Sequence, residues 1–456
     1  MTQPIVPFRP WRLAQLSSFR IGSAMVEILA TSIWNRVMIT NLGLPATFVG
    51  LLLAMRYFLA PFSVWAGHRS DTVPLWGYYR TSYIWLGRGL TMLSLPLLGF
   101  SLMRLEANHN DGVGWWLAVI CFAIYAIGSV LTGSPYLALV RDSAPKARQG
   151  FSISITETVF IIFIAVAGIG FSRWMESYSM GVFWQMVLAC IALGGFFWFF
   201  GIYGVEKSSI APATRATMVV ATAVRATFLQ TLTKIWADKR TRLFFVFLAL
   251  STFAAWSQDT ILEPFGAEVL HLPVGDTTRF TSYWQGATVI TLVGGAWAWR
   301  KRPPASQANI SRWGLLIMAA GMGLIAVESF LVYAGLIRLA LLVFGAGFGV
   351  YTFGSLNLMG SMSSDEDAGA YLGLWTISIL LFKGLGTFLG GAMRDLFLLV
   401  MGLEAAVAYG VAFGLAAVLL FASALLLRGL DVESFARENG HHPAEALPVP
   451  LPAVEI

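Results

Sequence analysis

The sequence predicts an all-α integral membrane protein with twelve transmembrane helices. Three observations carry that expectation. Of 456 residues, 57% are hydrophobic and 12% are charged, about half the charged fraction usual in soluble domains. Apolar runs of about 20 residues recur from end to end, each long enough for a hydrocarbon core of ~30 Å. The alternating segments of about ten residues that a membrane barrel needs are absent. Helices are then the remaining way for a spanning backbone to satisfy its own polar groups.

The runs lie near 17–41, 47–67, 82–103, 113–140, 150–172 and 181–204, then near 242–263, 278–299, 313–334, 336–359, 370–394 and 402–428. Most of the 30 Lys and Arg fall in loops on one side, among them Arg9, Arg12, Arg69, Arg141, Lys146, Lys239 and Arg300. The other side holds Arg104, Arg173, Arg279, Arg338 and Arg394. The positive-inside rule therefore expects both termini in the cytoplasm. The same rule accounts for the net charge of +6 without nucleic acid as a partner.

Along the chain, "MTQPIVPFRPWR" (1–12) has three prolines and no cleavage-type site, so no signal peptide is expected. In the first span, Glu27, Thr31 and Asn35 are spaced i, i+4, i+8 and form one polar stripe, which should face the bundle interior. Arg36 follows it inside an apolar run. Charges at mid-depth cost at least ~2.5–3.5 kcal/mol when unpaired. Glu27 and Arg56 lie at similar depth on adjacent spans and read as an ion pair, beside a proton-relay or substrate-binding role for Glu27. Glu157 and Lys383, in the fifth and eleventh spans, stand as ligand contacts or as members of further pairs. The two cysteines, Cys121 and Cys190, sit in apolar runs and read as packing thiols.

The loop "GHRSDTVPLWGYYR" (67–80) looks like a degenerate form of the facilitator motif GxxxDxxGRR, through Gly67, Asp71 and Arg80. On that reading Asp71 pairs with Arg141 or Arg148; the other reading is a solvated turn. The middle stretch "RATFLQTLTKIWADKR" places Phe228, Leu232, Ile235 and Trp236 on one face of an amphipathic helix. In "FGAGFGVYTFGS" (344–355), Gly345, Gly347 and Gly349 lie inside a span with no strand before them, so close helix packing is expected rather than a nucleotide loop. The tail is acidic and proline-rich, and its His441 and His442 lack further ligands for a metal site. No catalytic spacing is visible, so no enzyme activity and no catalytic residue are expected.

The two sets of six spans carry an internal repeat. "GSPYLALVRDSAPKARQG" (133–150) and "GSLNLMGSMSSDEDAG" (354–369) both open on Gly-Ser and close on Gly after a charged turn. "NRVMITNLG" (35–43) aligns with "QDTILEPFG" (258–266), so that Asn35 meets Gln258, Arg36 meets Asp259 and Gly43 meets Gly266. Six plus six spans with a long middle loop point to the major facilitator architecture, two six-helix halves around a central cavity. The expected organisation is a first half at 1–204, a cytoplasmic linker at 205–241, a second half at 242–428 and a disordered cytoplasmic tail at 429–456. Arg36 and Asp259 then have two readings. Arg36 snorkels to the outer interface, or the two bridge the halves and latch that side shut.

Further residues resemble a specific family. "NRVMITNLGLPATFVGLLLAMRYFLAPFSVWAGHRSD" (35–71) and "YYRTSYIWLG" (78–87) resemble the PucC/LhaA family of phototrophic bacteria, as do "QDTILEPFGAEVL" (258–270) and "GAYLGLWTISILLFKGLGTFLGG" (369–391). The chain departs from that pattern at Thr40, Asn41 and Lys383. The resemblance implies an assembly factor for light-harvesting complexes that binds or delivers bacteriochlorophyll, transiently, to antenna polypeptides. Implied partners are membrane lipids, light-harvesting polypeptides and pigment-synthesis enzymes, in the inner or intracytoplasmic membrane. Of the five His, none is mid-membrane, which argues against a permanent deep pigment; His68 is the candidate ligand. A secondary transporter of a small solute, proton-coupled through Glu27 or Glu157, is one alternative, and an accessory subunit of a photosynthetic complex is another.

Overall fold

The computed structural model describes residues 9–145, 148–206, 239–299, 304–362 and 368–429. Among them the chain forms twelve helical spans. Span 1 is Pro10–Ile28 continued by π-helical turns at Leu29–Trp34 and Val37–Asn41; span 2 is Ala46–Phe58 with Pro61–Thr72. Spans 3, 4 and 5 are Arg80–Ala107, Gly112–Asp142 and Gln149–Trp174, and span 6 is Met180–Ala189 continued to Ile202. Span 7 is Lys239–Trp256 with Leu262–Glu268, and spans 8, 9 and 10 are Val274–Trp299, Pro304–Leu331 and Ile337–Met362. Span 11 is Ala368–Asp395 continued by a π turn at Leu396–Val400, and span 12 is Ala405–Leu426. The expected linker helix around Phe228–Trp236 and the tail from residue 430 lie outside the described residues.

Nine of these helices are long and apolar enough to cross a membrane by length and composition; spans 1, 7 and 8 are the ones that fall short. Span 7 is cut short by its break, with Arg242–Trp256 as its apolar helix, and the polar residues of span 1 go with where they sit. Residues 26–39 of span 1 and 260–267 of span 7 are buried without interruption, so these segments face protein rather than lipid. Two hydrophobic cores result. One gathers Phe19, Trp34, Phe122, Phe160 and Trp198 from spans 1–6. The other gathers Phe247, Phe265, Trp284, Phe344 and Tyr409 from spans 7–12. Tyr57, Ala60 and Leu380 pack together between them.

Two spans are interrupted, and a proline explains each. Pro61 has no N–H to give Tyr57, whose carbonyl instead accepts from Ala60 at 3.1 Å. Pro264 likewise has none to give Thr260, and the Asn35 side chain of span 1 donates to that carbonyl at 3.0 Å. Proline is tolerated in the first turn of a helix, where N–H groups lack partners anyway. It therefore fits the restart of span 7 at Leu262. The sequence had span 7 running on to 263; the structure turns the chain between Trp256 and Leu262.

With twelve spans, residues 9 and 429 share one end of the bundle, called here the terminal end, and the other is the distal end. At the distal end a set of hydrogen bonds ties the halves. Asp395 of span 11 accepts from the Thr47 amide and hydroxyl of span 2, both at 2.7 Å. A carboxylate there caps the start of span 2 and meets the positive end of its dipole. Ser282 donates to the Ala165 carbonyl at 3.0 Å, and Arg279 donates to the Ser172 hydroxyl at 2.9 Å. Span 11 approaches both halves closely: a Cβ on Gly390 would overlap the Ser257 carbonyl, and one on Gly391 the Ala46 carbonyl.

Gly345, Gly347 and Gly349 serve the packing of spans 8, 9 and 10, where a Cβ would overlap Trp284, Met318 or Thr291. The alignment of Gly43 with Gly266 does not carry over to geometry. Gly43 takes a left-handed φ of 63° as span 1 ends, whereas Gly266 lies within a helical turn against Phe280. Between spans 3 and 4, Asp111 accepts from the Val113 amide at 3.2 Å. The Arg104 guanidinium beside it holds its carboxyl below the ordinary value.

Candidate functional site

The interior charges fall into two layers. In the first, Glu27 of span 1 accepts two hydrogen bonds from Arg56 of span 2. Arg56 also donates to Tyr125 at 3.0 Å and to Tyr57, and its guanidinium lies 4.6 Å from the Tyr57 ring centre. The bidentate fork satisfies both carboxylate oxygens, the geometry that makes a buried Arg–carboxylate pair tenable. Glu157 of span 5 is paired as well, with Arg20 of span 1. The Arg20 guanidinium lies over Tyr136 at 4.9 Å and Phe160 at 5.3 Å. A cavity of about 80 Å³ opens beside these pairs, lined by Arg20, Glu27, Arg56, Tyr57, Arg88 and Tyr125 among others.

The second layer surrounds the break in span 7. Asn35 reaches it from span 1, and the Thr260 hydroxyl donates to the Thr387 carbonyl of span 11 at 2.7 Å. Asp259 accepts from the Thr387 hydroxyl at 3.2 Å. The cations that act on it electrostatically are Lys383 and Arg56. Lys383 is fully buried. Its ammonium lies 3.4 Å from the Trp256 ring centre and 4.7 Å from that of Tyr57, and has no hydrogen-bond partner among the described residues. An aromatic face stabilises a desolvated cation, which accounts for its tolerance here. Glu263, four residues beyond Asp259 in the restarted helix, accepts from the hydroxyls of Ser32 and Thr281, each at 3.0 Å.

Two expectations need correction. Arg36 and Asp259 form no bridge. Arg36 donates to the Leu272 carbonyl at 3.0 Å and to the Asn41 side chain at 3.2 Å, and the carboxylates acting on it are Glu263 and Glu268. The break in span 7 turns Asp259 toward Lys383 instead. The tie between the halves at the distal end is Asp395 on the start of span 2. Asp71 does not reach Arg141, which pairs with Asp142; it accepts from Arg80 at 2.8 Å. Arg80 also binds Asp142 and the Ala138 carbonyl, the latter at 2.9 Å. The motif residues are thus joined in one network, with Gly67 packed on Ser134. Glu206, which the sequence reading passed over, caps span 3 through the amides of Tyr79 at 2.9 Å and Thr81 at 2.6 Å.

Arg20, Glu263 and Asp395 were missed as well. Arg20 stands inside an apolar run, which was a usable signal. Glu263 precedes Pro264, which marks a helix start. Asp395 carried no signal of its own at the end of a span. His68, His109 and His271 are all exposed. Among the described residues no group of three or more His, Cys, Asp or Glu is placed to hold a metal ion.

A family model described as PUCC protein matches residues 33–435 of the chain. An uncharacterized protein in the puhA-bchM intergenic region of Rhodobacter capsulatus is 28% identical over 397 residues, covering 84% of this chain and 80% of that protein. Protein PucC of Rhodovulum sulfidophilum is 26% identical over 395 residues, covering 84% and 85%. A bacteriochlorophyll synthase 44.5 kDa chain of Rhodobacter capsulatus is 26% identical over 427 residues, covering 92% and 96%. Among solved structures, a bacterial homolog of the human lysosomal transporter Spinster, in an inward-facing and unoccupied conformation, superposes with a TM-score of 0.65 at 14% identity, covering 95% and 98%. The nucleoside transporter NupG superposes with a TM-score of 0.63 at 12% identity, covering 92% and 98%. At such identities these structures speak to the fold alone, and the fold is the major facilitator type with two six-helix halves.

Proposed function

The chain belongs to the PUCC protein family, and on that premise we propose that it is a non-enzymatic assembly factor for bacterial light-harvesting complexes. Its role is in photosynthesis. In this reading it binds or delivers bacteriochlorophyll, transiently, to antenna polypeptides as they enter the membrane. Those polypeptides, pigment-synthesis enzymes and membrane lipids are its partners. The observation that carries the reading is the family match across both halves, from residue 33 to residue 435. The gathering of basic residues in the terminal-end loops supports cytoplasmic termini in the inner or intracytoplasmic membrane.

The interior bears on where pigment would sit. The cavity beside Glu27 and Arg56 is about 80 Å³, against ~300–1,000 Å³ for pockets that enclose drug-sized ligands. A tetrapyrrole is larger than many of those. That cavity is too small for it, and on this reading pigment contact lies on the outer surface. His68, exposed at the terminal end of span 2, is available there as an axial ligand.

The test is to purify the full chain from phototrophically grown cells, record its near-infrared absorption and identify the polypeptides that come with it. Antenna polypeptides with bacteriochlorophyll are expected, together with reduced antenna absorption in a deletion strain. A pigment-free protein that moves a solute in proteoliposomes and captures no antenna polypeptide would overturn the reading in favour of a transporter.

A further inference from the structure

We propose that the break in span 7 carries a binding site for one sodium ion. A cavity of about 20 Å³ lies there, lined by Thr31, Gln258, Asp259, Glu263, Thr281 and Gln285 among others. That volume holds one water-sized particle, which needs roughly 10–15 Å³. The walls supply oxygens of the kinds a hard monovalent cation takes: carboxylate, amide and hydroxyl. Gln258 is only 2% exposed, and its amide oxygen has no hydrogen-bond partner among the described residues. A buried amide oxygen is rarely left so, and a cation in this cavity would satisfy it.

Of the carboxylates around the cavity, Glu263 is the one open to a small cation. Glu27 is held by Arg56, and Asp259 is opposed by Lys383. Glu263 is 3% exposed and accepts from the hydroxyls of Ser32 and Thr281 and from its own amide. Arg36 acts on it from a distance, but its guanidinium is bonded to Leu272 and Asn41. No cation bonds the Glu263 carboxylate directly among the described residues, so a small cation in the cavity would meet it at a depth where unpaired charge is costly. A calcium-type site would need a denser set of carboxylates, and no such group is present among the described residues. Broken spans place carbonyls and side-chain oxygens at the membrane midplane, an arrangement that suits Na⁺.

Thr31 comes from one half and the other named residues from the other half. An ion bound here would touch both and favour the conformation in which the distal end is closed.

The test is thermal unfolding of the full chain in detergent, in NaCl, KCl or choline chloride at equal ionic strength. A saturable rise on the order of 5 °C is expected in NaCl at a large excess over Kd. It should be smaller in KCl and absent in choline chloride. Gln258→Leu and Glu263→Gln should each abolish the response. Equal unfolding temperatures for the wild type in NaCl and choline chloride overturn the proposal, without reliance on any variant. So does an equal response to KCl, or a full response in both variants. Pigment and antenna capture are separate readouts, so the assembly role stands or falls independently.

Discussion

The layer around Glu27 in spans 1–5 and the layer around the break in span 7 handle buried charge in opposite ways, although spans 7 and 11 also hold a direct buried pair at their distal ends, Arg394 with Glu268 at 2.6 Å. In the first group Glu27 is joined to Arg56 and Glu157 to Arg20 by direct contact, with phenol hydroxyls and aromatic rings around the guanidinium groups. In the second, Asp259, Glu263 and Lys383 lie close together, yet no direct ion pair joins them. Hydroxyls and ring faces surround them instead. The contrast separates two uses of intramembrane charge. A direct pair is neutral and fixed, and it holds helices in register. Charges kept apart leave an imbalance that an ion or a rearrangement can settle. The first group reads as scaffold, the second as the part able to respond.

The sharpest way to break this comparison is to remove one member of a scaffold pair. Glu27→Gln leaves Arg56 buried without a counter-charge, and such losses cost about 3–5 kcal/mol. Thermal unfolding in detergent should show a drop of many degrees, and Glu27→Leu combined with Arg56→Met should recover most of it. An unchanged melting temperature for Glu27→Gln would mean that the pair holds nothing together.

The distal tie comes next. Asp395→Ala removes both the carboxylate that caps span 2 and a partner 2.8 Å from the buried Arg394 guanidinium, a loss at least as large as the about 1–2 kcal/mol of other helix caps. Asp395→Asn should cost less, because an amide oxygen can still accept from Thr47. If the two substitutions prove equally harmful, the charge and not the cap is what matters there. A smaller effect is expected in the responsive layer. Replacing Lys383 with Met and Asp259 with Asn together removes two desolvated charges that share no hydrogen bond. Stability should stay within about 1 kcal/mol of wild type or rise, as when buried ions give way to neutral groups. A loss as large as that of Glu27→Gln would show that Lys383 and Asp259 are scaffold after all.

The scaffold layer was the more legible of the two. Depth can be counted from the edge of an apolar run, and spans 1 and 2 are neighbours in any hairpin, so Glu27 and Arg56 could be matched from the sequence. Glu157 with Arg20 could not be matched in that way, because which spans meet across a bundle depends on packing. The responsive layer was hidden by its own hydrophobicity. "STFAAWSQDTILEPFG" (251–266) reads as one apolar run, although Pro264 announces a helix restart. Once that break is placed, Thr260 frees a carbonyl for Asn35 and Asp259 turns to Lys383. Position along a helix is a sound guide to depth only while the helix continues.

Arg36 and Asp259 test that last statement with the smallest effect of all. A bridge between them would give a double-mutant cycle a coupling of about 1.5 kcal/mol or more, as close charge pairs do. The geometry instead commits Arg36 to a backbone carbonyl and to Asn41, and Asp259 to Thr387. Arg36→Gln and Asp259→Asn should therefore act independently, adding within about 0.3–0.5 kcal/mol in unfolding measurements. The charge swap Arg36→Glu with Asp259→Arg should rescue nothing. A clear coupling would mean that the two meet in another conformation of the bundle. Span 7 would then have to rotate Asp259 away from Lys383, and the layer described here as able to respond would have been caught in one of its two positions.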